Sequence, residues 1–204
     1  RKDGSMGWYH TVKLPFRHGG HGGTGVLGVS EDVTERRRID EKLRHMAQHD
    51  GLTKLPNRAL FSDRLEQALA LAERTGSGLA LFFLDLNGFK PVNDRYGHAV
   101  GDAVLAETAR RLQETVRASD CAGRIGGDEF VLFIRDVKGP DDIREVEDKL
   151  RRKLAEPFEH DGLTLALSAA IGRAVFPGDG KTETELLRAA DAAMYADKAH
   201  SRRR

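Results

Sequence analysis

The run Cys121-Ala122-Gly123-Arg124-Ile125-Gly126-Gly127-Asp128-Glu129-Phe130-Val131-Leu132-Phe133-Ile134 decides the fold. Two strand-like segments flank a glycine pair, which reads as a β-hairpin with a tight turn. Upstream, Leu79-Ala80-Leu81-Phe82-Phe83-Leu84 is an unbroken apolar run, as expected of a strand covered on both faces, and it stops abruptly at Asp85. Helical periodicity surrounds these strands. Phe61, Leu65, Leu69 and Ala72 share one face of a helix over 59–75 that ends at Thr75-Gly76-Ser77-Gly78, and Leu105, Ala109, Leu112 and Val116 mark a helix over 99–117. A third helix is expected over 140–155 and a last one over 183–199, with Leu163, Leu165, Leu167, Ala169 and Ile171 alternating as a strand between them. The order α-β-α-β-β-α-β-α predicts an α/β (α+β) domain, a mixed sheet with helices packed against it, close to a ferredoxin-like βαββαβ core.

The 204 residues accommodate one compact domain of about 150 residues and a smaller piece. With 33 Lys plus Arg against 32 Asp plus Glu, the net charge of +1 excludes a nucleic-acid binder that works by bulk charge. Cys121 is alone, so neither an intrachain disulfide nor a cysteine-based metal cluster is possible, and a reducing, cytoplasmic setting is expected. No apolar run approaches the roughly 18 residues of a membrane span, and no signal-peptide core is present at the start of the chain.

The N-terminal third has another character. Residues 7–16 and 24–33 are β-rich around a glycine-rich loop, a hairpin that buries too little to stand alone and that we expect to belong to a larger sheet. From 34 to 49 the sequence is helical. Thr34 suits a cap, Ile39, Leu43 and Met46 form a coiled-coil-like stripe, and a helix packed on its own domain would show the same spacing. His45 and His49 have a zinc-compatible spacing without a third ligand, and His18 and His21 read as exposed turn residues.

Asp85 at the end of an apolar strand, and Asp128-Glu129 inside an apolar hairpin, put carboxylates where burial is costly. On neighbouring strands they would need a cation, and hard oxygen donors suit Mg²⁺ or Mn²⁺. Solvated strand ends are the alternative reading. Lys90, Lys198 and Arg202 are cations suited to phosphate, although each taken alone is more often a surface charge.

Gly126-Gly127-Asp128-Glu129-Phe130 resembles the signature hairpin of the GGDEF family, the diguanylate cyclases. The resemblance extends in order through His49-Asp50-Gly51-Leu52-Thr53-Lys54-Leu55-Pro56-Asn57-Arg58, Asp85-Leu86-Asn87-Gly88-Phe89-Lys90-Pro91-Val92-Asn93-Asp94, Tyr96-Gly97-His98-Ala99-Val100-Gly101-Asp102, and Ala190-Asp191-Ala192-Ala193-Met194-Tyr195 with Lys198. It implies condensation of two GTP into cyclic di-GMP and two pyrophosphates by a homodimer, with no nucleic-acid partner. Asp85, the Leu86 carbonyl and Asp128 would hold two Mg²⁺ or Mn²⁺ ions, with Glu129 as base or supporting ligand. Asn93 and Asp102 would read guanine, with His98 lining that pocket. Lys90, Lys198 and Arg202 would meet the β- and γ-phosphates, and Gly126 and Gly127 would let the backbone approach the nucleotide. Arg117-Ala118-Ser119-Asp120, five residues before Gly126, matches the family's inhibitory product site, where a solvated ion pair is the plain alternative.

Three positions depart from the family pattern: Asn87, Ala170, and Asp197, whose charge beside Lys198 is expected to weaken its phosphate contact. Residues 1–33, with Trp8 and the segment 25–36, resemble the end of a PAS sensor domain. This gives an expected organisation of PAS remnant (1–33), signalling linker helix (34–49) and GGDEF domain (50–204). An inactive GGDEF domain that senses GTP or cyclic di-GMP, alone or joined to a phosphodiesterase domain, is the second expectation, and a dimerising adaptor the third.

Overall fold

The computed structural model describes residues 6–17 and 24–201, in two compact units, Arg1–Ala47 and Gln48–Arg204. In the first, β1 (Tyr9–Arg17) and β2 (Thr24–Asp32) pair antiparallel and α1 (Thr34–Gln48) begins after them. Val12, Leu14, Val26, Leu27 and Val29 of the hairpin remain exposed, as do Ile39, Leu43 and Met46 of α1. Thr34 does not cap α1 through its hydroxyl. That hydroxyl accepts from the Trp8 N–H at 2.7 Å, while the Asp32 carboxylate receives the Thr34 N–H at 3.0 Å. The Trp8 ring is exposed and covered by the Arg37 guanidinium, 4.5 Å from its centroid.

In the second unit the order is α2 (Arg58–Thr75), β3 (Gly78–Asn87), α3 (Phe89–Tyr96), α4 (His98–Thr115), β4 (Cys121–Gly126), β5 (Glu129–Val137), α5 (Pro140–Ala155), β6 (Phe158–His160), β7 (Leu163–Leu165), β8 (Ser168–Phe176) and α6 (Glu183–Ser201). The main sheet runs β4-β5-β3-β8, which is the ferredoxin-like strand order. All its pairings are antiparallel, which corrects the expected mixed sheet: each strand-helix-strand crossover skips one position, so the parallel strands never become neighbours. Strand β3 is central and buried along both faces. Ala80, Phe82, Leu84 and Leu86 face a core shared with α4 and α5, and Leu79, Leu81 and Phe83 face a core shared with α2 and α6.

The helix expected over 99–117 is α4, and a short helix that the sequence reading did not include, α3, precedes it, parted from α4 by Gly97 at φ 86°. Pro91 does not prevent α3, since it lies in the first turn, where its missing N–H has no helical partner. One further sequence expectation is corrected. The alternating run 163–171 is not one strand: β7 pairs with β6 through an Asp161-Gly162 turn, and the chain then enters the main sheet as β8. The buried Arg111 closes α5, donating to the carbonyls of Lys153, Glu156 and Pro157 at 3.1, 2.6 and 2.9 Å.

Candidate functional site

Strand β3 delivers Asp85 to the edge of the core. It lies opposite Glu129 of β5 and Ala170 of β8, and is only 8% exposed. The next residue joins strand to hairpin, because the Leu86 N–H donates to the Asp128 carbonyl at 3.3 Å. Gly88, at φ 78°, then turns the chain directly into α3, so Lys90 and Asn93 follow the strand end within two helical turns. In the hairpin, Gly127 at φ 51° takes up the left-handed conformation that lets a turn this tight place Asp128 and Glu129 beside Asp85.

Electrostatically the site is acidic. Burial, and then the charges of Asp85, Asp128 and Asp191, push the Glu129 carboxyl above its ordinary range, with Arg58 acting in the opposite sense. Lys198 of α6 offsets part of this charge by donating its ammonium to Asp85 Oδ1 at 2.6 Å. No group of three or more His, Cys, Asp and Glu side chains arranged for a metal occurs among the described residues. Two carboxylates and the Leu86 carbonyl are nevertheless a hard oxygen set. They suit Mg²⁺ or Mn²⁺, which commonly take one or two protein carboxylates and complete their shell with water and substrate phosphates. The residues present therefore fit such an ion bound together with a nucleotide.

Asn93 and Gly101 meet across α3 and α4. Asn93 Oδ1 is buried without a hydrogen-bond partner, and a Cβ at Gly101 would lie 1.8 Å from it. His98, Asp102 and Lys90 are exposed beside this contact, while Arg202 lies outside the described residues. Gly101→Ala is expected to displace the Asn93 side chain with little change in the thermal melting curve, which checks it.

Several contributors escaped the sequence reading. Arg124 spans from Asp50 Oδ1 (3.0 Å) to the Gly127 carbonyl (2.7 and 3.1 Å), fixing the hairpin turn to the segment that precedes α2. Burial raises the Asp50 carboxyl, but hydrogen bonds from Thr53 and Arg124 outweigh it and hold Asp50 below the usual range. Arg58, Ser62, Glu129, Arg188 and Asp191 line a cavity of about 410 Å³ floored by apolar side chains. An arginine two residues before the glycine pair was the available signal for the first of these links. For the cavity there was none, because its lining comes from five separate elements, α2, β3, β4, β5 and α6.

Asp197 also behaves differently from expectation. It accepts from the Ile171 N–H at 2.9 Å and from Arg151 at 3.1 Å, so it anchors α6 to β8 and α5. Arg117 and Asp120 sit in the α4–β4 loop apart from the carboxylates. Asp120 accepts from the Arg117 backbone N–H at 3.0 Å and the Arg135 N–H at 3.2 Å, and both residues line a cavity of about 430 Å³ with Arg135 and Lys149. Cys121 is buried, and burial raises its thiol pKa. Among the described residues no helix is long and apolar enough to cross a membrane.

The family model described as "Diguanylate cyclase, GGDEF domain" matches residues 47–204. The chain is 47% identical over 170 residues to the bifunctional diguanylate cyclase/cyclic di-GMP phosphodiesterase MucR of Pseudomonas aeruginosa, covering 83% of this chain and 25% of that protein. It thus spans about a quarter of that relative's length. Among solved structures, a sensory box/GGDEF family protein from Caulobacter crescentus superposes with TM-score 0.73 at 42% identity, covering 75% of this chain and 99% of the other. The coiled coil and GGDEF domain of DgcB from the same organism, in complex with c-di-GMP, gives TM-score 0.74 at 29% identity over 82% of this chain and 89% of the other.

Proposed function

The chain belongs to the GGDEF family of diguanylate cyclases, and from that membership we propose that it condenses two GTP into cyclic di-GMP with release of two pyrophosphates. The observation that carries this reading is the convergence of Asp85, the Leu86 carbonyl, Asp128 and Lys198 at the end of β3. In the reaction the 3′-hydroxyl of each GTP attacks the α-phosphorus of the other, and the bond to the β-phosphate oxygen breaks. The hydroxyl loses its proton and pyrophosphate departs. Such a displacement depends on alignment and on neutralising phosphate charge.

Asn93 and Asp102 hold the guanine edge, where an amide and a carboxylate match its acceptors and donors, with His98 beside them. Lys90, Lys198 and Arg202 bind the triphosphate. Asp85, the Leu86 carbonyl and Asp128 would hold two Mg²⁺ or Mn²⁺ ions, which would lower the pKa of the attacking hydroxyl and screen the phosphates. Glu129, which lies opposite Asp85 across the β3–β5 pairing, takes the hydroxyl proton.

One domain binds one GTP, so two must face each other. The exposed stripe Ile39, Leu43 and Met46 on α1 supports pairing of two chains through that helix. The uncovered apolar residues of the β1–β2 hairpin support its being part of a larger PAS-type sensor sheet. A GTP-dependent activity and an unpaired buried thiol both accord with the cytoplasm. Specific activity is therefore expected to rise with protein concentration until the dimer is saturated. A rate per chain that stays flat at zero product across that range would sink the reading.

Arg117 and Asp120 form the product-inhibition site, where a guanidinium recognises phosphate and the guanine Hoogsteen edge. Arg117→Ala is expected to leave the initial rate within about twofold and to raise the inhibitory concentration of cyclic di-GMP at least about tenfold. Progress curves with added product measure this, and unchanged inhibition would place the feedback site elsewhere.

A further inference from the structure

We propose that Lys198 holds Asp85 against divalent cations until a triphosphate draws its ammonium away, so that protein and metal associate tightly only in the presence of nucleotide. The inference rests on the metal-dependent reading above. Lys198 Nζ lies 2.6 Å from Asp85 Oδ1, and the two side chains are 26% and 11% exposed, so the pair is shielded from most of the solvent that would weaken it. A cation taking the same carboxylate would face the ammonium at like charge, at a site where Asp85 is already neutralised.

Three contacts fix this arrangement. Asp85 is locked in register between Glu129 and Ala170. Helix α6 is seated on β8 at Gly172, where a Cβ would come within 2.0 Å of the Ala190 carbonyl. Asp197, next to Lys198, is tied the other way to Ile171 and Arg151, which prevents the end of α6 from turning its ammonium out to solvent. The lysine stem, by contrast, has four flexible methylenes, so the ammonium can move while the helix stays. A triphosphate offers it a denser set of anionic oxygens than one carboxylate. Nucleotide thereby frees Asp85 as it supplies oxygens of its own, and the coupling is reciprocal: metal favours nucleotide as much as nucleotide favours metal.

The test is Mn²⁺ binding by the full chain, read from the electron paramagnetic resonance signal of free Mn²⁺, with and without 3′-deoxy-GTP, which lacks the attacking hydroxyl. Wild type is expected to bind Mn²⁺ weakly alone and at least about tenfold more tightly with the nucleotide. Lys198→Met is expected to bind Mn²⁺ alone about tenfold more tightly than wild type, Lys198→Arg to restore weak binding, and Asp85→Asn added to Lys198→Met to erase the gain. The proposal is overturned if Lys198→Met binds Mn²⁺ alone no more tightly than wild type, or if Asp85→Asn leaves its gain untouched, while wild type still binds in the presence of nucleotide. Wild type that binds no Mn²⁺ even with nucleotide would overturn the metal-dependent reading, and this inference with it.

Discussion

Asp85→Asn is expected to lower cyclic di-GMP formation by about a thousandfold while the protein melts within a few degrees of wild type. The substitution keeps shape and removes charge. Asp85 is the most buried of the carboxylates at the site, and the only residue of β3 whose side chain pairs with Lys198. An amide there cannot balance a divalent cation, so the neutralisation of phosphate charge that depends on the metal fails. The fold survives because two effects oppose each other. Loss of the Lys198 pair costs stability, but removing one negative charge beside Asp128 and Glu129 relieves repulsion, the same repulsion that helps raise the Glu129 carboxyl. Product chromatography and thermal melting measure the two quantities, and an unfolded variant or an unchanged rate would each contradict this account of Asp85.

The second large effect is structural in origin. Gly172→Val is expected to destabilise the protein by about 3 kcal/mol or more and to abolish turnover even where the chain remains folded. At this position a Cβ would stand 2.0 Å from the Ala190 carbonyl and 2.1 Å from the Met194 amide, both backbone atoms of α6, so the helix must lift from the sheet. Ala190 and Met194 are buried in that contact, and Lys198 lies one turn further along the same helix. Gly139→Ala is the control. A Cβ there meets nothing within 4 Å, and its effect is expected to stay within about 0.5 kcal/mol. Urea unfolding distinguishes the pair, and equal effects at the two positions would refute the close seating of α6.

Much of this was legible in the sequence because strands buried on both faces announce themselves. The runs 79–84 and 130–134 could hardly be anything else, and the glycine pair between 125 and 128 marked the hairpin that brings Asp128 and Glu129 towards Asp85. What escaped was decided by context. The short helix α3 was not legible, and it holds Pro91 in its first turn, where proline is tolerated. Leu163 to Ile171 keeps its alternation across a change of sheet, since period-two burial says nothing about which partner a strand has. The direction of Asp197 depends on where α6 rests against β8, so its neighbour Lys198 suggested a conflict that Ile171 and Arg151 remove. The Arg124 link to Asp50 joins residues far apart in the chain, and residue spacing does not show such pairs.

The most direct measurement is to incubate the chain at high concentration with GTP and Mg²⁺, then separate and identify the nucleotides. Cyclic di-GMP and pyrophosphate appearing in a ratio of one to two, and absent with Asp128→Ala, is the predicted result. GTP recovered intact, even when two chains are held together by a fused dimerisation helix, would contradict the assignment of this site as a cyclase.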